Sequence, residues 1–204
     1  MRDTVALIIA KGKSNRLPKK NLRNFNGKPM FLWNVEKCLN LFTRVYVSSD
    51  DPEILMEAWQ AGAIRIERDK SLCTDTIPNI PVYQHALERM GENVQAIVAV
   101  QANSPTIDQN LIAVAKGLME IGTPELMTVH PIVRGYSYHS QLFYIYGSIW
   151  GIRGDVLKEY GDPYKPNPKV LIEDPSVDIH DEADVVDALA QLSPENIVNL
   201  NNKI

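Results

Sequence analysis

Residues 10–21 read Ala10-Lys11-Gly12-Lys13-Ser14-Asn15-Arg16-Leu17-Pro18-Lys19-Lys20-Asn21. Lys11, Lys13, Arg16, Lys19 and Lys20 gather positive charge, while Gly12, Ser14 and Asn15 let backbone N–H groups approach an anion closely. The chemistry this permits is a cradle for a polyphosphate; the plainer reading is a solvated turn. The stretch is not a Walker A loop, because Gly12-Lys13-Ser14 has the tail but Leu7 stands where the first glycine belongs. With Gly12 alone it is not a dinucleotide fingerprint either. A second polar group at a commanding place is Gln101, an amide at the end of the apolar run Ala96–Val100, able to read a ligand with directed donors and acceptors.

The flanking elements decide whether the loop can act. Val5-Ala6-Leu7-Ile8-Ile9-Ala10 has no polar alternation and suits a strand buried on both faces. A helix-like run from Pro29 to about Phe42 follows. A loop leaving such a strand lies at the carboxyl edge of the sheet, where open α/β proteins bind ligands. Further strands are expected at 45–48, 63–66, 96–100 and 126–129. Helices are expected from Asp51-Pro52 to about Ala61, from Pro78 to Met90, from Asp108 to Ile121, from Asp155 to Tyr160 and from about Asp184 to Leu192. Asp50 reads either as the cap of the first of these or as a neighbour of the site. Residues 177–184 read as a strand entering the last helix, whose alternation sets Asp178 and His180 on one face. Strands alternating with helices predict a three-layer α/β/α fold with a mostly parallel, mixed sheet.

The chain has 204 residues, 45% hydrophobic and 23% charged, which suits one globular domain spanning 1–204. No apolar run is long enough to cross a bilayer, and the N-terminus shows no signal-peptide pattern, so the expected compartment is cytoplasmic with no membrane partner. Cys38 and Cys73 are too few for a disulfide scaffold or a zinc cluster. Residues 1–30 carry eight Lys/Arg against one Asp, and residues 173–204 one Lys against eight Asp/Glu. That asymmetry suits a metal–nucleotide enzyme, although chance surface bias produces it too. The basic segment is one loop without interleaved aromatics, so no nucleic acid is expected as a partner.

Ile9 to Asn21 resembles the N-terminal signature of the acylneuraminate cytidylyltransferases, roughly Ala-Arg-x-x-Ser-Lys-x-(Leu/Ile)-Pro-x-Lys-Asn. Ser14, Leu17, Pro18, Lys20 and Asn21 match it; Lys11 replaces the usual arginine and Asn15 the usual lysine. Gly27-Lys28-Pro29-Met30 is similar to the family's Gly-Lys-Pro-Leu. Arg68, Leu72, Asp75 and Thr76 match its Arg-Pro-x-x-Leu-x-x-Asp segment and the Ser/Thr that follows. Gln101, Ser104 and Pro105 match its Leu-Gln-Pro-Thr-Ser-Pro motif, with Ala102 and Asn103 changed. Gly147-Ser148-Ile149-Trp150 resembles a later family strand, and Val177 to Asp184 resembles Ile-Asp-Ile-Asp-x-x-x-Asp.

The resemblance implies a GT-A-like, Rossmann-like nucleotidyltransferase fold. It also implies transfer of CMP from CTP to an acidic sugar, a nonulosonic or ulosonic acid, with release of pyrophosphate. It places Ala10, Lys11, Gly12, Ser14, Asn15, Arg16, Lys20, Asn21, Asp75 and Thr76 on the nucleotide and Arg68, Gln101 and Ser104 on substrate. Lys11, Arg16, Lys20 and Asp178 take the catalytic roles. The metal, Mg²⁺ or Mn²⁺, falls to Asp178 and to His180, which stands where the family has a second Asp. A hard ion prefers carboxylate to imidazole. Hence His180 weakens the metal, shifts its preference, or leaves Asp178 to work with water and triphosphate. Family analogy suggests a homodimer. A longer family excursion supplies sugar contacts; here it shrinks to about 131–147, where Arg134, Tyr136, Tyr138 and His139 either line an acceptor pocket or form a small hairpin. Two alternatives stay open: a nucleotidyltransferase for another acceptor, and a nucleotide-binding homologue without catalysis.

Overall fold

The N-terminal apolar run becomes an interior strand because both of its faces find apolar cover. In the computed structural model, which describes residues 3–131 and 144–192, that strand is β1 (Thr4–Ile9). After the basic loop come β2 (Asn24–Phe25), β3 (Lys28–Pro29), α1 (Leu32–Leu39), β4 (Val45–Ser49), α2 (Pro52–Gln60) and β5 (Ile64–Glu67). Then follow α3 (Asn79–Met90), β6 (Ala96–Gln101), α4 (Gln109–Glu120), β7 (Glu125–Pro131), β8 (Tyr144–Arg153), α5 (Gly154–Lys158), β9 (Val170–Glu173) and α6 (Glu182–Gln191).

Among the described residues, seven strands form one sheet in the order β5-β4-β1-β6-β8-β7-β9. The β5–β4–β1–β6 part is parallel, β8 runs antiparallel between β6 and β7, and β9 is parallel to β7. This is the expected mostly parallel, mixed sheet. Ala6 and Ile8 of β1 pack with Val35 of α1, Ile54 of α2 and Ile112 of α4. Val5 and Leu7 point the other way, into a cluster with Tyr83 of α3 and Leu157 of α5. Helices thus cover both faces, giving three layers. A third cluster joins Leu17 of the basic loop to Phe25, Met30, Ile179 and the apolar stripe of α6, Val185, Ala188 and Leu192. Burying Leu17, at 4% exposure, contributes roughly 1.5–3 kcal/mol and pins the back of the loop.

Three expectations need correction. No helix starts at Pro29: Lys28 and Pro29 pair with Phe25 and Asn24 in a hairpin, and α1 starts at Leu32. Asn26 and Gly27 both take positive φ, 50° and 92°, as a two-residue turn of that kind requires. The cap of α2 is Asp51, not Asp50; its carboxylate accepts from the N–H of Glu53 at 2.8 Å, and Pro52 takes the first helical position. Finally, 177–180 is not a strand. Its N–H groups go to loops and to the start of α6 instead of a sheet neighbour: Val177 to Thr106 Oγ1 at 2.8 Å, Ile179 to the Asn103 carbonyl at 2.9 Å and His180 to Asp184 Oδ2 at 2.7 Å. Asp181 and Asp184 form a capping box on α6, the acidic helix start that was expected. Arg134, Tyr136, Tyr138 and His139 lie outside the described residues.

Candidate functional site

The carboxyl ends of the parallel strands β1, β5 and β6 point to one edge, and the segments leaving them line a cleft of about 520 Å³, a volume suited to a nucleotide-sized ligand. Lys11, Ser14, Asn15, Arg16, Lys20, Asn21, Arg68, Asp75, Gln101 and His180 line it. Ala10, Gly12, Thr76, Ser104 and Asp178 are not among the lining residues.

Short contacts shape the loop. Asn21 donates from Nδ2 to the Lys11 carbonyl at 2.8 Å, and Gly12 donates its N–H to Asp50 Oδ1 at 3.0 Å. A Cβ on Gly12 would sit 2.6 Å from Asp51 Oδ2, so that position needs glycine to let the loop close on the α2 cap. Of the five cations, Lys19 turns away to Glu53 at 3.0 Å, while Lys11, Arg16 and Lys20 face the cleft. Lys20 donates to the Ile179 carbonyl at 2.8 Å. Burial pushes the Lys20 ammonium below its ordinary pKa, against the opposing pull of the Asp178 carboxylate. Lys11 and Asn15 both bind Asp75, on the segment facing them across the mouth of the cleft.

Arg68 is 5% exposed and makes neither of the surface ion pairs open to it, with Glu67 or Asp69. It donates from Nε to Ser48 Oγ at 3.1 Å and from Nη2 to the Ser48 carbonyl at 2.5 Å. Burial lowers its pKa, opposed by Cys73 and Asp50. Its guanidinium is therefore anchored to the end of β4 while it lines the cleft wall. Gln101 also lines the cleft; its carbonyl and that of Ser104 accept from Nδ2 of Asn34, at 2.8 and 2.9 Å. Ser104 is 1% exposed, so it lies behind the wall.

Sequence reasoning passed over Asn103. Its side-chain amide donates to Asp178 Oδ1, while its carbonyl takes the Ile179 N–H at 2.9 Å. On the other side, His180 Nε2 lies 2.9 Å from Asp178 Oδ2. The two residues around Asp178 that depart from the family's pattern, Asn103 and His180, therefore hold one carboxylate between them. Although 177–180 is irregular, burying Ile179 still leaves Asp178 and His180 together. Among the described residues no group of three or more His, Cys, Asp or Glu is placed to hold a metal ion. Asp178 fits as a lone carboxylate for a hard ion otherwise ligated by water and phosphate oxygens; the imidazole of His180 does not suit Mg²⁺. Asn79, the first residue of α3, also lines the cleft; its signal was its place at a helix start directly after the Arg68–Thr76 segment.

A family model described as Cytidylyltransferase matches residues 5–121. A pseudaminic acid cytidylyltransferase of Campylobacter jejuni is 32% identical over 114 residues, covering 53% of this chain and 49% of that protein. A 3-deoxy-manno-octulosonate cytidylyltransferase of Christiangramia forsetii is 34% identical over 113 residues, covering 53% and 42%. The chain spans about half the length of these curated relatives. A solved CMP:2-keto-3-deoxy-manno-octonic acid synthetase complexed with CTP superposes with a TM-score of 0.74 at 17% identity, over 94% of this chain and 99% of that one. A 4-diphosphocytidyl-2C-methyl-D-erythritol synthase of Anaerococcus prevotii superposes with a TM-score of 0.70 at 11% identity, over 94% and 96%. At such identities the two structures establish the fold, that of a nucleotidyltransferase.

Proposed function

The chain belongs to the cytidylyltransferase family, and from that premise we propose that it transfers CMP from CTP to an acidic sugar, a nonulosonic or ulosonic acid, releasing pyrophosphate. The observation that carries the reading is the convergence of Lys11, Arg16 and Lys20 on one wall of a cleft at the carboxyl edge of the sheet, with Asp178 beside Lys20. A sugar hydroxyl attacks the α-phosphorus and the bond to the β-phosphate oxygen breaks. The chain's part is positioning and charge neutralisation rather than covalent chemistry. Lys11, Arg16 and Lys20 hold the phosphates, with Ser14, Asn15 and Asn21 shaping the loop. Arg68, after β5, and Gln101, at the end of β6, flank the loop on its two sides and orient nucleotide and acceptor. Asp178 would hold a divalent ion, Mg²⁺ with Mn²⁺ as the alternative, and such an ion would supply neutralisation of developing phosphate charge. The reading is of one domain over 1–204, acting as a cytoplasmic homodimer with no nucleic-acid or membrane partner. Among the described residues no helix is long and apolar enough to cross a membrane.

A second reading, a homologue that binds nucleotide without reacting, is favoured by one feature: both oxygens of Asp178 are already engaged, by Asn103 and His180. Pyrophosphate release separates the two. The assay uses CTP with Mg²⁺, then Mn²⁺, over a panel of nonulosonic and ulosonic acids, with UTP and ATP as controls. Release that requires CTP and one acid is expected, and Lys20→Ala lowers it by about two orders of magnitude or more while the fold stays intact. Silence across the panel, with CTP still raising the melting temperature, favours the binder or a different acceptor; wild-type turnover in Lys20→Ala removes the loop from the mechanism.

A further inference from the structure

The carboxylate of Asp75 occupies two side-chain donors of the basic loop. One of its oxygens meets Lys11 Nζ and the other Asn15 Nδ2, two positions at which the basic loop departs from the family's pattern. The hydrogen bond and charge of Lys11, with further help from Lys13 and Arg16, hold its carboxyl below the usual carboxylate range, so the group is ionised at neutral pH. Little else fastens the segment that carries it. Thr74, Asp75 and Thr76 are all exposed and lie between a short 3₁₀ turn and α3. Among the described residues, their other ties are a Thr74–Thr76 hydroxyl contact at 3.1 Å and a hydrogen bond from Tyr164 to the Thr76 carbonyl at 3.3 Å. A triphosphate arriving at Lys11 meets a negative charge already on that ammonium, and two anions cannot share it without repulsion.

We infer that Asp75 is a resident anion of the phosphate cradle, an internal stand-in that a polyphosphate must displace before the cleft is filled. The inference rests on the reading of the basic loop as a phosphate cradle. In the empty protein Asp75 keeps Lys11 and Asn15 ordered and joins the two sides of the cleft mouth. When the ligand binds, the phosphate oxygens take over both donors and the 74–76 segment is released. The arrangement selects for ligands of high charge, because a weakly charged anion gains too little to displace the carboxylate.

The test measures binding of inorganic pyrophosphate and of CTP, without acceptor, to the full chain and to Asp75→Asn and Asp75→Ala. Asp75 is exposed, and melting temperatures check that both variants fold. The expected result is binding about three- to tenfold tighter in both variants at low salt, the size of a lost exposed ion pair and its repulsion. The gain shrinks at about 0.5 M salt as screening sets in. Weaker binding in the variants would mean that Asp75 positions Lys11 for the ligand, and unchanged binding that it does not compete; either overturns the inference. If neither wild type nor variants bind pyrophosphate or CTP, the cradle reading falls and this inference with it. Binding seen in the variants but not in wild type would support both.

Discussion

Asp174 and Asp178 belong to the same acidic stretch after β9, and the fold treats them in opposite ways. Asp174 is fully buried. Its Oδ2 accepts from Ser148 N–H at 2.8 Å and Thr128 Oγ1 at 3.0 Å, and its Oδ1 from Ser176 N–H at 2.9 Å. Its carbonyl lies 2.6 Å from His130 Nδ1, and the Ser148 and Ser176 hydroxyls meet at 2.5 Å beside it. These donors come largely from main chain and short side chains of β7, β8 and the turn after β9. They cannot swing away without unfolding the strands. Asp178 has a side chain 36% exposed and is held by two longer polar side chains, Asn103 and His180, at the cleft. Those partners can rotate. A carboxylate satisfied by fixed donors joins strands, whereas one held by movable donors at a cleft can exchange them for a cation or a ligand.

The largest expected effect breaks that comparison cleanly if it is wrong. Asp178→Ala is expected to lower pyrophosphate release about a hundredfold or more with the melting temperature unmoved. Asp174→Ala is expected to do the reverse of this in kind, costing on the order of 3 kcal/mol of stability because it strands buried donors worth about 1–3 kcal/mol each. Urea midpoints and turnover, measured on both variants, check it. A stable Asp174→Ala, or an unfolded Asp178→Ala, would mean that the roles are exchanged.

A smaller change sharpens the same point. A Cβ added at Gly147 would fall 2.7 Å from both Asp174 Oδ2 and Thr128 Oγ1. Gly147→Ala therefore pushes the carboxylate off its donors, with an expected cost of about 1–3 kcal/mol, as for overpacking a filled core. A urea midpoint within error of wild type would show that the nest around Asp174 yields, and that it is less fixed than its hydrogen bonds imply.

The sequence made one of these regions legible and hid the other, for a physical reason. The basic loop at the sheet edge, β1 and the helices α2, α3 and α4 could be read because each depends on neighbours in sequence: apolar runs, caps and clustered cations. Asp51-Pro52 was legible as a helix start, although the cap was ascribed to Asp50 as readily. Asn26-Gly27 is a hairpin signal that the reading of Pro29 as a helix opener left unused. Asp174 gave no signal, since its partners Thr128 and Ser148 are brought to it by strand pairing. Asn103 read as a departure from a motif; its meaning depended on Asp178 and Ile179, which reach it only in the folded chain.

The smallest effect concerns acid. Burial drives the carboxyl of Asp174 upward, but the hydrogen bonds from Ser176 and Ser148 together outweigh it, so that its pKa lies below the ordinary carboxylate value. A group lowered in the folded state binds its proton more readily when unfolded. Its contribution to stability is therefore complete above the unfolded value of about 3.9 and is lost as pH falls through the folded value. Asp174→Asn keeps the shape and removes the charge. Urea midpoints of wild type and Asp174→Asn at constant ionic strength, from neutral pH down to about pH 3, should show wild type ahead at neutral pH and the gap closing in acid. If the gap instead widens as pH falls, the carboxyl is raised in the fold. Burial then prevails over the donors, and the contrast with Asp178 would rest on desolvation rather than on fixed hydrogen bonds.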